Sequence, residues 1–310
     1  MFVRKALVAG IALACVTGIA QAREIKSVGV TVGSLGNPFF VTIAKGAEAK
    51  VKEMYPNAKV ITASADYDLN KQFTQIDNFI SAGVDLILLN AADAKAIEPA
   101  VKKAQKAGIA VVAVDVAAAG ADATVQTDNV QAGKLACEHI VKRLSGKGNV
   151  VIQNGPQVSA VIDRVKGCKD VFAAAPGIKV LSDDQDGKGS REGGMNVMLG
   201  HLTRFPKLDA VFTINDPQAI GTDLAARQLK RKGIVITSVD GAPDIETALK
   251  NDTQVEASAS QDPWLMAQQA IVIGNDILNG KKPANPMVLI PSTLVTRDTV
   301  GSYKGWSSPR

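Results

Sequence analysis

The stretch VDLILLNAADAKAIEPAVKKAQKAGIAVVAVD, residues 84–115, decides the architecture of the chain. It opens and closes with continuous apolar runs, VDLILL (84–89) and IAVVAV (109–114), which read as strands buried on both faces. Between them Ile97, Ala100, Val101 and Ala104 recur at the helical period, and Gly108 punctuates the end. A strand, a helix and a second buried strand make a parallel βαβ unit. Each run is followed at once by a short polar residue, Asn90 and then Asp115.

The same alternation extends in both directions. Upstream, KSVGVTV (26–32) and AKVITA (58–63) read as strands; downstream follow NVVIQ (149–153), IKVLSD (178–183), AVFTI (210–214) and IVITSV (234–239). VEASASQDPW and MVLIPSTLVT read as extended crossings around the helical stretch WLMAQQAIVIGNDILNG. The expected fold is α/β: two doubly wound parallel-sheet lobes joined by a three-stranded hinge. The chain divides into an N-terminal lobe, residues 23–127 plus 262–289, and a C-terminal lobe, residues 128–261 plus 290–310.

Residues 1–22 form a separate leader. Arg4 and Lys5 precede an apolar stretch, and Ala20-Gln21-Ala22 is a small-residue cleavage signal, so export with cleavage after Ala22 is expected. The apolar stretch is shorter than the roughly 20 residues that span a bilayer. The formal charge of +5 includes Arg4 and Lys5, and the remaining basic residues are interspersed with acids. That is a solvated surface and not a nucleic-acid footprint. Cys137 and Cys168 remain after the leader is removed. In an oxidising compartment they either bridge two neighbouring helices or stay as two separately buried thiols.

Ligands of open parallel sheets bind beyond the carboxyl ends of the strands. Asn90, Asp115, Asn215 and Asp240 all stand there. Each alone is also what caps a helix or shapes a turn; together they point to a polar cleft able to hydrogen-bond a polyhydroxylated ligand. GNPFF (36–40) adds an apolar side. Asn37 and Pro38 start a helix, and Phe39 and Phe40 point about 100° apart, so both cannot enter one buried stripe. At the end of the first strand, at least one ring is expected to face the cleft, where it would meet the C–H faces of a sugar.

The succession GNPFF, LILLNAAD, VVAVD, DRVKG, AVFTINDPQAIG, VDGAPD and SQDP resembles the ribose-binding-protein family over nearly all of the chain beyond the leader. These are periplasmic sugar receptors of ABC importers. The resemblance implies that Asn37, Phe39 and Phe40 supply a polar contact and two stacking walls. It implies that Asn90, Asp115, Arg164, Asn215, Asp240 and Gln261 hydrogen-bond the ligand, Arg164 through its planar fork. The implied partners are a sugar or polyol and an inner-membrane ABC permease with its ATPase; whether a chemoreceptor also reads the protein stays open. A monomer without cofactor, metal or catalytic residues is expected.

Two departures from the ribose pattern bear on the ligand. The arginine usual after the fourth-strand aspartate is Val116 here, and the aromatic ring usual before the NVM helix is missing from GKGSREGG (187–194), near Gly189. Trp264 either replaces that wall or is a packing residue. A pentose other than ribose, a hexose, a cyclitol or a linear polyol fits the altered pocket. A repressor sharing this core would need an N-terminal helix-turn-helix where the leader stands. An enzyme using Asp115 or Asp240 would turn its sugar over. No phosphate loop, Cys-x-x-Cys or metal-spaced histidine pair occurs; His139 and His201 stand apart.

Overall fold

The computed structural model describes residues 24–306; the leader expected at 1–22 lies outside them. The first sheet is built from β1 (Ser27–Val32), β2 (Lys59–Ser64), β3 (Leu86–Leu89), β4 (Ala110–Val114) and β5 (Ala123–Thr127), joined by α1 (Pro38–Met54), α2 (Leu69–Ser81) and α3 (Glu98–Lys106). A late strand, β11 (Met287–Ile290), adds to its edge, giving the order β11-β5-β4-β3-β1-β2, parallel throughout.

After α4 (Asn129–Arg143) the pattern repeats. The second sheet holds β6 (Lys147–Gln153), β7 (Gly177–Ser182), β8 (Ala210–Thr213), β9 (Val235–Asp240) and β10 (Val255–Ser260). They are connected by α5 (Ser159–Ala173), α6 (Arg191–Arg204), α7 (Asp216–Gln228) and α8 (Pro243–Lys250). A last strand, β12 (Leu294–Thr296), lies antiparallel on β10, and the order is β12-β10-β9-β8-β6-β7. The two α/β lobes expected from the sequence are present. VEASAS, expected as a bare crossing, is a full strand of the second sheet. β5 is a fifth strand of the first, which no apolar run announced.

Alternation along the strands builds a core on each face. In β3, Leu86 and Leu88 enter one cluster with Val112 and Val114, while Ile87 and Leu89 enter another with Val111 and Ala113. All are fully or nearly fully buried, each valine, leucine or isoleucine side chain being worth about 1.5–3 kcal/mol. The chain passes between the sheets after β5, after β10 and between β11 and β12. These passages are tied together: Thr127 donates to Gln261 Oε1 (2.7 Å), Asp128 N to Ile290 O (2.8 Å) and Ser292 Oγ to Ser260 O (2.7 Å). α9 (Pro263–Leu278) packs on α1 and on the first sheet.

Cys137 on α4 and Cys168 on α5 form a disulfide, with Cα atoms 5.2 Å apart. The helices meet through glycines: a Cβ on Gly133 would lie 2.0 Å from Arg164 O, and one on Gly167 2.1 Å from Val130 O. This close crossing brings Arg164 of α5 against Asn129 at the start of α4.

Candidate functional site

Asp115 and Asp240 follow from strands that stop at the same edge of their sheets. Asp115 comes directly after β4 with φ 71°, and Asp240 ends β9 with φ 140°. Aspartate tolerates the left-handed value at Asp115 better than most residues, whereas the φ at Asp240 is one that side-chain-bearing residues rarely adopt; each carries a strain of about 1–3 kcal/mol.

On the first lobe, Asn90 follows β3 and is fully engaged. Its Oδ1 accepts from Gly33 N (3.0 Å), and its Nδ2 donates to Val114 O (3.2 Å) and Asp115 Oδ2 (2.9 Å). Asn90 therefore orients Asp115, whose Oδ1 has no partner among the described residues. On the second lobe, Arg164 Nε donates to Asn129 Oδ1 (2.8 Å), and its Nη1 to Ile214 O (2.9 Å) and Asp240 Oδ1 (3.3 Å). Gln261 Nε2 also donates to Asp240 Oδ1 (2.8 Å). The other guanidinium edge, Arg164 Nη2, has no hydrogen-bond partner among the described residues, while the Asp240 carboxylate is also held by the Asp216 backbone N–H. The arrangement thus offers two carboxylate acceptors, one from each lobe, and a guanidinium edge that donates.

Electrostatics couple the lobes. Burial pushes Asp115 up to about 6; Arg164 opposes this and Asp240 adds to it. Burial also raises Asp240, against the pull of Arg164 and Gln261. Behind Asp240, the buried Asp216 accepts from the Ser238 and Ser258 hydroxyls and from Ala242 N (2.7 Å). Burial, followed by the nearby Asp240, raises it well above the usual carboxylate range. Asp216 fixes the turn after β9, which Tyr303 also holds through Gly241 O (3.1 Å).

Phe39 and Phe40 meet edge to face at 5.3 Å, and both rings are buried in the first lobe's cluster, against the expectation that their 100° separation keeps them out of one buried stripe: neighbouring elements enclose both directions. Phe40 Cζ comes close to Gly33 and Asn90 Oδ1 at the end of β1. Phe39 abuts Trp306 (5.4 Å), which returns to the first lobe from the end of the described chain. The Trp306 indole donates to Gln261 O (3.0 Å). Asn37 Oδ1 caps α1 through Phe39 N (2.9 Å). Asn215 caps α7 through Gln218 N (3.1 Å), and its Nδ2 donates to Gly189 O (2.9 Å). Both asparagines therefore perform the capping role that their positions also suggested.

The departures now have surroundings. Val116 is buried, and with Ala118 it shares an apolar cluster with Ala160 and Val158 of the second lobe. Ala117 N donates to Ser159 Oγ across the same lip (3.2 Å). Where the ribose pattern places an arginine, this protein has an apolar contact between lobes. Trp264 lines an outer groove with Pro38, Pro243 and Trp306, apart from the carboxylates. The sequence reading missed Tyr67, Asn129, Asp216 and Trp306. Tyr67 stands three residues past β2, beyond the position read at the other strand ends.

With this geometry in view, the comparisons are specific. Residues 28–282 match the periplasmic binding protein domain, and the chain belongs to that family, on its ribose-binding-protein-like side. It is 34% identical over 260 residues to the ribose import binding protein of Bacillus subtilis, covering 83% of each chain. It is 33% identical to the xylitol-binding protein of Mycolicibacterium smegmatis, over 93% of this chain and 82% of that one. A solved Bacillus halodurans ABC transporter solute-binding protein with bound myo-inositol superposes with a TM-score of 0.82 at 25% identity, covering 92% of this chain and 99% of that one. One from Actinobacillus succinogenes with bound D-allose gives 0.82 at 26%, covering 89% and 99%.

Proposed function

We propose that this protein is an exported, non-enzymatic receptor that binds a monosaccharide or sugar alcohol between its lobes and delivers it to an ABC permease. The observation that carries the reading is the convergence of the open Asp115 Oδ1 and Arg164 Nη2 with the buried Asp240 carboxylate. Two acceptors and a forked donor suit neighbouring hydroxyls, which donate to the carboxylates and accept from the guanidinium. Relatives named for ribose and xylitol, and neighbours holding myo-inositol and D-allose, support the ligand class. Asn37, Phe39, Phe40, Asn90, Asn215 and Gln261 complete the proposed site, as contacts or as the frame that orients these three groups.

The two sheets with their helices act as the two moving lobes, the division expected at 290 being shifted because Ile290 and Trp306 pack on the first one, and the three passages between the sheets act as the hinge. Ligand bridging Asp115 and Asp240 favours the closed state by contacts that an open cleft cannot make. Loss of the ribose-type arginine at Val116 directs the choice away from D-ribose, towards another pentose, a hexose, a cyclitol or a linear polyol. Thermal unfolding of the ligand-stripped protein against such a panel tests the reading. A true ligand at about 1,000 times its Kd adds roughly 4 kcal/mol and raises the midpoint by several degrees. A flat response across the panel would remove the substrate class.

A further inference from the structure

Tyr67 has no role in the account so far, yet it is held deliberately. The turn after β2 carries two successive left-handed residues, Asp66 (φ 52°) and Tyr67 (φ 58°). Tyrosine has no side-chain device that eases this conformation, as glycine or asparagine does, so the backbone is strained there. The turn is nonetheless well tied. Ala65 N donates to Val32 O (2.8 Å), Tyr67 N to Gly33 O (3.2 Å) and Asp68 N to Ala65 O (2.9 Å), and Lys71 pairs with Asp66.

The strain presents a ring. Tyr67 is 62% exposed, but one side of it lies against the end of β1. A Cβ on Gly33 would sit 2.7 Å from Tyr67 Cε1, 3.0 Å from Phe40 Cζ and 3.1 Å from Asn90 Oδ1. Tyr67 and Phe40 meet edge to face at 6.2 Å. Tyr67 is thereby gathered with Phe40 and with the asparagine that orients Asp115. Its hydroxyl feels carboxylates of both lobes: desolvation first, then Asp115 and Asp240, push it up to about 12. It stays a neutral phenol, able to donate and to accept.

We propose that Tyr67 is a specificity-determining wall of the ligand site, packing its ring on the C–H face of the polyhydroxylated ligand while its hydroxyl hydrogen-bonds that ligand beside Asp115. This rests on the function proposed above. It supplies from the first lobe a stacking surface, which the loop around Gly189 lacks, and a neutral hydrogen-bonding group. The site is then framed by a phenol and two carboxylates, which favours a neutral polyol or cyclitol with several neighbouring hydroxyls over an anionic sugar.

The test pairs calorimetric titration with ligand-free thermal unfolding for wild type, Tyr67→Gly and Tyr67→Phe, using D-ribose, D-allose, xylitol and myo-inositol as probes. For the tightest probe, Tyr67→Gly is expected to lower affinity at least tenfold while leaving the ligand-free midpoint unchanged or higher, because glycine relieves the φ of 58°. Tyr67→Phe keeps the ring and falls between the two. A purely structural tyrosine would behave oppositely, losing stability with affinity intact, and that result would overturn the proposal. Wild-type binding with unchanged affinity in Tyr67→Gly removes only the role of Tyr67. Failure of wild type to bind any probe overturns the sugar-binding reading, and this inference with it.

Discussion

Replacing Asp115 by asparagine should make the ligand-free protein more stable at neutral pH while weakening it as a receptor. The carboxylate is buried, and its pKa is pushed up from the ordinary 3.8 to about 6. The folded state therefore holds this proton more tightly than the unfolded chain does. The resulting stability is fully present below about pH 4 and is lost as pH rises through about 6. At pH 7.5 the ionised side chain then costs about 3 kcal/mol relative to solvent exposure. Asparagine removes the charge, tolerates the φ of 71° and can still accept from Asn90 Nδ2. Urea unfolding of wild type and Asp115→Asn at pH 4 and pH 7.5 reads the difference. The expected gain is up to about 3 kcal/mol at pH 7.5, shrinking towards zero at pH 4. An equal gain at both pH values, or a loss at pH 7.5, would refute the placement of an ionisable, desolvated carboxylate there.

Further outcomes follow from the second lobe. Removing the disulfide by Cys137→Ala with Cys168→Ala, which opens a loop spanning 31 residues, should lower unfolding free energy by about 3–4 kcal/mol, measurable by urea titration against the oxidised protein. Gly133→Ala should be more damaging to binding than its size suggests. Its Cβ would press on Arg164 O, so the helices must part and Arg164 must leave Asp240; near-native helix content by circular dichroism with binding lost is the expected pattern. Gln261→Ala should weaken ligand binding by roughly 1–3 kcal/mol, because it leaves Asp240 Oδ1 short of a donor and breaks the Thr127 tie.

How much of this was legible in the sequence depended on how each residue signals its surroundings. β3 and β4 are continuous apolar runs, and strands buried on both faces can hardly look otherwise. β5, ATVQT, is buried along its whole length but carries Thr124, Gln126 and Thr127, so it gives no apolar run. β10 is made largely of small residues, Ala and Ser, which fit beneath α4 and Asp216 without a hydrophobic signature. The strand-end positions of Asp115 and Asp240 were readable because each directly follows a continuous apolar run. The capping by Asn37 was readable from Asn-Pro at a helix start, and that by Asn215 only as an alternative, since one residue type suits both a cap and a polar cleft. The pairing of Cys137 with Cys168 needed the close approach of Gly133 and Gly167, which no sequence period encodes. Trp306 reaches the first lobe from the far end of the chain, a contact that depends on the passages between sheets.

The most direct measurement is calorimetric titration of the best ligand from the panel into wild type, Asp115→Ala and Arg164→Lys, one variant on each lobe. The account predicts saturable one-to-one binding by wild type and a loss of at least tenfold, about 1.4 kcal/mol, in both variants, because the ligand needs an acceptor from the first lobe and a planar fork from the second. Undiminished binding in either variant would contradict a site shared between the lobes.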